Sequence, residues 1–179
     1  MNRAILVTVH MYLSAFFAPF ILMVAISGGL YLAGIKGDVH TSPVFQSSDY
    51  DFNIRADYLK AEVDSLLAAA GVTGYSYEYV KDKGATLYTR PTSRTHYVIT
   101  LGECVEILRA EPNLQAALME LHMGHGPGSF KLFQQVFALG LLFIILSGLW
   151  LGLSAAKLRR RTLLTSLSGA VVFLLLALL

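Results

Sequence analysis

Hydrophobic residues along this chain fall into three long runs, and the acidic residues into one stretch between the first two. Residues 4–34 contain no Asp, Glu, Lys or Arg, and this run exceeds the roughly 20 residues that an α-helix needs to cross a hydrocarbon core. Residues 130–155 carry a single charge, Lys131, and residues 162–179 are apolar to the C-terminal Leu179. These runs predict three transmembrane α-helices, the second and third joined by a basic loop over 156–161. The first run is about twice the usual length of a signal-peptide core and has no clear small-x-small cleavage site, so it reads as an anchor.

The polar stretch, residues 35–129, is long enough to fold by itself. Ala56–Ala70 has apolar residues at helical spacing and ends at Gly71, which predicts a helix. Tyr75, Tyr77 and Tyr79 alternate with smaller or polar residues, and the Lys81–Gly84 turn leads into a β-rich run ending at Arg90-Pro91. His96–Leu101 and Cys104–Arg109, separated by Gly102-Glu103, predict a second hairpin. Pro112–His125 then returns to the membrane as an amphipathic helix. The expected fold class is a membrane protein with three transmembrane α-helices and a small α+β domain, a helix on an antiparallel sheet, between helices 1 and 2. The tyrosine stripe needs only one packed face to explain it, and His96 reads as a sheet histidine.

Composition agrees with a bilayer, since 55% of residues are hydrophobic and only 15% charged. Charge adds a direction. Arg3 precedes the first run, and Lys157, Arg159, Arg160 and Arg161 separate the second from the third, whereas all twelve acidic residues lie between Asp38 and Glu120. Short cytoplasmic segments collect Lys and Arg. The expectation is therefore a cytoplasmic N-terminus, with the α+β domain and the C-terminus on the far side of the membrane; no nucleic-acid partner is expected. A lone cysteine, Cys104, excludes an internal disulfide, and the absence of CxxCH excludes covalent c-type haem attachment.

Candidate chemistry centres on histidine. His10 follows Arg3 by two helical turns and lies within the apolar run, where an ionisable side chain marks a functional site by default. It is either a neutral imidazole hydrogen-bonded to a neighbouring helix or an axial ligand to haem iron. His122 and His125 lie in LHMGHGPGSF, at the far end of the membrane from His10. The bilayer, about 30 Å thick, keeps them from sharing one iron with His10. Nor can neighbours on one helical face take opposite sides of one ring, so haem ligation predicts two sites and a homodimer that completes each, unless His40 supplies the outer partner. Gly140, Ser147, Gly148 and Gly152 form a small-residue surface that suits helix packing or a flat porphyrin. Met119, Glu120, His122, Met123 and His125 could alternatively bind a soft or borderline metal ion with no redox role, and an envelope interaction module needing no cofactor is the third reading.

Two stretches carry a family resemblance. TVHMYLSAFFAPFILMVAISGGLYL, with His10 and Ser27-Gly28-Gly29-Leu30-Tyr31, resembles the first helix of PepSY-associated transmembrane proteins. LHMGHGPGSFKLFQQVFALGLLFIILSGLWLGL is similar to their second characteristic stretch, through Leu121-His122 and Ser147-Gly148-Leu149-Trp150. LGECVEILRAEP also resembles the closing hairpin of a PepSY domain, and the three-span layout looks most like the VciB-type haem ferric reductases. The resemblance implies a haem b protein that passes electrons across the membrane to periplasmic ferric iron or a ferric chelate, supporting ferrous iron uptake through a downstream transporter. It implies a bacterial inner-membrane location, with His10 and His122 as iron ligands. His125 abuts the glycine break and is expected nearer the ferric ion, and Lys131 is close enough in sequence to pair with a haem propionate at the outer surface. With no GxGxxG before a helix, electrons would come from a separate NAD(P)H-linked reductase, a free flavin or a quinol.

Overall fold

In the computed structural model, which describes residues 2–49, 52 and 58–179, ten elements follow one another. They are α1 (Arg3–Leu32), β1 (Val39–Ser47), α2 (Leu59–Ala69), β2 (Tyr79–Asp82), β3 (Thr86–Arg90), β4 (His96–Leu101), β5 (Val105–Pro112), α3 (Leu114–His122), α4 (Gly128–Ser154) and α5 (Arg159–Leu178). Helices α1, α4 and α5 are each long and apolar enough to cross a membrane. The chain divides into two compact units, residues 1–20 with 135–179, and residues 21–134.

In the first unit the start of α1 packs on α4 through aromatic rings. Phe17 and Phe20 both meet Phe137 edge-on, with centroids 5.4 and 4.3 Å apart, a geometry that pairs a ring's positive rim with its partner's negative face. Gly140 makes room for this, because a Cβ there would collide with the Phe17 ring. The small surface expected on the second span thus serves helix packing at this position. Gly152 lies against Thr162 of α5. Helix α5 begins three residues earlier than the apolar run predicts, so Arg159, Arg160 and Arg161 form its first turn rather than part of a loop.

The second unit is built on a five-stranded antiparallel sheet in the order β1-β5-β4-β3-β2. Period-2 alternation divides its residues between two faces. Leu87, Tyr97, Ile99, Val105 and Ile107 face α2, where Val63, Leu66 and Leu67 complete a dry core. Each fully buried aliphatic there contributes about 1.5–3 kcal/mol. Tyr75 and Tyr77 belong to this core: Tyr75 lies edge-on to Tyr97, and the Tyr77 hydroxyl donates to the Lys60 carbonyl. Of the tyrosine stripe only Tyr79 is in a strand, so the first hairpin is shorter than the alternation suggests. Both expected hairpins are present, β2–β3 and β4–β5. The predicted helix begins at residues 56 and 57, which lie outside the described residues, and continues as α2.

One strand went unread in the sequence. With Pro43 and Ser47-Ser48, the segment Val39–Ser47 reads from sequence as a polar lead, yet it pairs with β5 along its length as the sheet edge. An edge strand tolerates proline because one side of it needs no ladder donor, and the register shifts between Pro43 and Phe45.

His96 is buried on β4, its Nδ1 bonded to the Arg94 carbonyl at 2.9 Å. Burial lowers its pKa below the ordinary 6.5. The unfolded chain therefore takes up the proton first as the pH falls, so the neutral-His96 contribution is complete above about pH 6.5 and is lost below it. Thermal melts of the full chain in detergent should show stability falling between pH 7 and pH 5. His96→Gln should flatten that fall; an unchanged slope in the variant would remove His96 as its cause.

Candidate functional site

Two histidines are held in the same way. In the first unit, His10 Nδ1 lies 2.8 Å from Ser147 Oγ, and the Ser147 hydroxyl also reaches the Ile144 carbonyl at 3.1 Å. In the second, His122 Nδ1 lies 3.1 Å from Ser27 Oγ, which reaches the Val24 carbonyl at 3.3 Å. Both serines are buried and both histidines half-buried.

A serine hydroxyl has one proton. Where that proton goes to the carbonyl three residues back in its own helix, the oxygen can only accept from the imidazole. Nδ1 then carries the hydrogen, and the Nε2 lone pair is left free. Among the described residues neither Nε2 has a hydrogen-bond partner. This is the tautomer of a metal-binding imidazole whose other nitrogen is fixed by a hydrogen bond.

A glycine follows each serine. A Cβ on Gly148 would stand 3.3 Å from His10 Cε1, and one on Gly28 would stand 3.1 Å from His122 Cε1. Each ring therefore lies over a bare patch of helix beside the serine that holds it. One turn on from His10, the Ser14 hydroxyl is buried with no hydrogen-bond partner, an arrangement that costs about 1–3 kcal/mol unless a ligand or another chain satisfies it.

His122 is the last residue of α3, and this short helix has two working faces. Gln115 and His122 share the face toward α1, and the Gln115 amide donates to the Ser27 and Ile35 carbonyls at 3.3 and 3.2 Å. Asn113 caps the helix by accepting from Ala116 N at 2.9 Å. The chain leaving α1 crosses this cap at Gly37, whose φ of 79° and contact with Ala116 exclude a side chain. Ala116, Met119, Glu120 and Met123 occupy the other face, which with the second face of the sheet walls a cavity of about 370 Å³. His125 lines it, its Nδ1 2.9 Å from Glu120 Oε2. The same oxygen accepts from the Thr92 hydroxyl and lies 3.5 Å from an Arg90 nitrogen.

The remaining candidates are elsewhere. His40 is exposed on β1 opposite Glu111. Lys131 Nζ donates to the Tyr79 hydroxyl at 2.8 Å and sits over the same ring. Glu78 accepts from Gly128 N at the start of α4, where the helix dipole favours a negative charge. Met119, Glu120, Met123 and His125 line the cavity while His122 turns to Ser27, so the five do not converge; among the described residues no three His, Cys, Asp or Glu side chains form a metal cluster. Sequence reasoning did not assign Ser27 and Ser147 as imidazole acceptors, nor Arg90, Thr92 and Glu120 as a group. The repeated Ser-Gly dipeptide at 27–28 and 147–148 is the signal for the first. Compared with family models, curated proteins and solved structures, the chain matches none.

The tautomer can be measured directly. Nitrogen-15 spectra of histidine-labelled, metal-free protein should show His10 and His122 with protonated Nδ1 and bare Nε2. Ser147→Ala and Ser27→Ala should each move their own histidine toward the Nε2–H form that a free imidazole favours. Wild-type rings already in that form would show that the serines donate rather than accept.

Proposed function

We propose that the chain is a b-type haem membrane reductase that passes electrons to ferric iron or a ferric chelate. The observation that carries this reading is the pair of serine-held imidazoles, each with Nδ1 committed and Nε2 free beside a glycine. The residues fit haem on the chemistry of the donors: neutral imidazole is a common axial ligand, a serine acceptor fixes its tautomer, and a glycine leaves space at the ring edge. One-electron transfer is the chemistry that haem b supplies when bound. His10 and His122 would hold the iron through Nε2, while Ser147 and Ser27 orient the rings.

The sequence resemblance to PepSY-associated transmembrane proteins supports the same assignment. In this reading the N-terminus is cytoplasmic, as Arg3 and Lys157–Arg161 favour, and the sheet unit lies in the periplasm of an inner-membrane protein. A flavin, an NAD(P)H-linked reductase or a quinol on the cytoplasmic side would supply one electron for each ferric ion reduced, and a ferrous iron transporter would take up the product.

A single histidine at each site would supply one ligand to the iron. A homodimer would supply the second, with α1 and α4 near its interface, and would also offer a partner for the Ser14 hydroxyl. Mass measurement in nanodiscs should give two chains per haem-loaded particle, and an active, haem-loaded monomer would refute the pairing.

Reduced-minus-oxidised absorption of the purified protein should show a Soret band with α and β bands. His10→Ala and His122→Ala should each lower haem per chain or shift those bands, and Ser147→Ala and Ser27→Ala should weaken haem binding by about 10- to 100-fold. His125→Ala should leave the spectrum largely intact and lower ferric reduction, because its ring is tied to Glu120 at the cavity. Wild-type protein refolded or expressed with ample haem and still lacking a Soret band would reject the reading.

A further inference from the structure

The cavity behind the sheet has the makings of a ligand site in its own right. Its floor comes from the alternation that sends Leu87, Tyr97 and Ile99 to the core and Tyr88, Arg90, His96, Val98 and Ala110 to the other face. Met119 and Met123 of α3 add an apolar wall. At about 370 Å³ it is within the range of small-molecule sites.

Three cations line it: Arg90, Lys36 and Lys83. Arg90 is only 4% exposed, and its buried Nε has no hydrogen-bond partner. One of its terminal nitrogens is taken by Thr92 and approaches Glu120. Lys36 and Lys83 lie over the rings of Tyr31 and Tyr88, at 5.3 and 5.2 Å from the centroids, and among the described residues neither pairs with a carboxylate. The one acid lining the cavity, Glu120, is engaged by Thr92, Arg90 and His125. Three cations against one acid give the lining a surplus of positive charge beside a buried donor without a partner, with no charge needed from His96. Leaving such a donor unpaired is costly, and a guanidinium in the cavity lining suits a carboxylate.

The geometry points to a binding site for a small polycarboxylate anion, with one carboxylate on Arg90 and others toward Lys36 and Lys83 at the rim. The carbon body lies against Met119, Met123 and Val98. Such a ligand binds with or without iron; that an iron-loaded polycarboxylate is the electron acceptor rests on the proposed function. The cavity and His122 occupy different faces of α3, a helix about 10 Å across, so an acceptor held here would be close to the imidazole.

The experiment is calorimetric titration of the full chain in nanodiscs with citrate, inorganic phosphate and acetate, reading haem content on the same samples. Citrate should bind more tightly than either simpler anion. Arg90→Gln and the exposed pair Lys36→Gln/Lys83→Gln should each weaken citrate binding about tenfold or more. The lysine pair keeps the test sound if Arg90→Gln fails to fold. No citrate binding, full affinity in the folded double variant, or phosphate binding as tight as citrate would overturn the proposal, the last pointing to a general oxyanion or lipid-phosphate site. Citrate binding by protein that cannot be loaded with haem would uphold the cavity and reject the reductase reading. Haem-loaded protein that reduces ferric ions yet fails to bind citrate would do the reverse.

Discussion

A serine hydroxyl cannot donate to two acceptors at once, and the assignment of the candidate site depends on that limit. In each case a turn of apolar helix presents a carbonyl to its own serine, and where the serine proton goes there, an imidazole from another element must donate to the oxygen. In water the solvent would satisfy either tautomer equally well. Away from water the alternatives are few, so a serine proton committed to its own helix leaves the distant ring only the donor role. The following glycine matters for the same reason, since a side chain on Gly28 would contest the space of the His122 ring.

The sheet unit follows a different constraint, the two-residue repeat of a strand. A single strand, TLYTR, sends Leu87 to the dry core under α2 and Tyr88 and Arg90 to the cavity under α3. A buried guanidinium is tolerable there because Thr92 and Glu120 take part of its hydrogen-bonding capacity. The stability of the core and the polarity of the cavity are therefore set by alternate letters of the same short words. A slip of one residue in register would exchange them.

What could be read from sequence divides along the same lines. The three apolar helices were legible because length and absence of charge suffice to announce them, and both hairpins were legible from turn residues between β-rich runs. Strand β1 was hidden because Ser42 and Pro43 interrupt its pattern, and its place depends on pairing with β5 some sixty residues away in the chain. His10 and His122 stood out because imidazoles are rare beside such apolar stretches. Their acceptors did not, because a serine beside glycine looks the same whether it serves packing or holds a ring; only the tertiary contact separates the two. The cluster of Arg90, Thr92 and Glu120 was invisible for a similar reason, as it joins β3, the turn after it and α3.

Helix α3 is where these two designs meet within one unit. Nine residues long, it is too short to hold its shape by propensity alone. Its start is fixed by the Asn113 cap and by Gly37, and its flank by the Gln115 amide on the Ser27 and Ile35 carbonyls. Its end is held by the Gln134 amide on the Leu121 carbonyl at 2.8 Å. These ties leave His122 little freedom to turn away from Ser27, and they fix Glu120 over the cavity at the same time. A rotation of α3 that brought Glu120 nearer Arg90 would swing the His122 ring off its serine acceptor. The His122 ring and the Glu120 side of the cavity are therefore positioned by the same short helix.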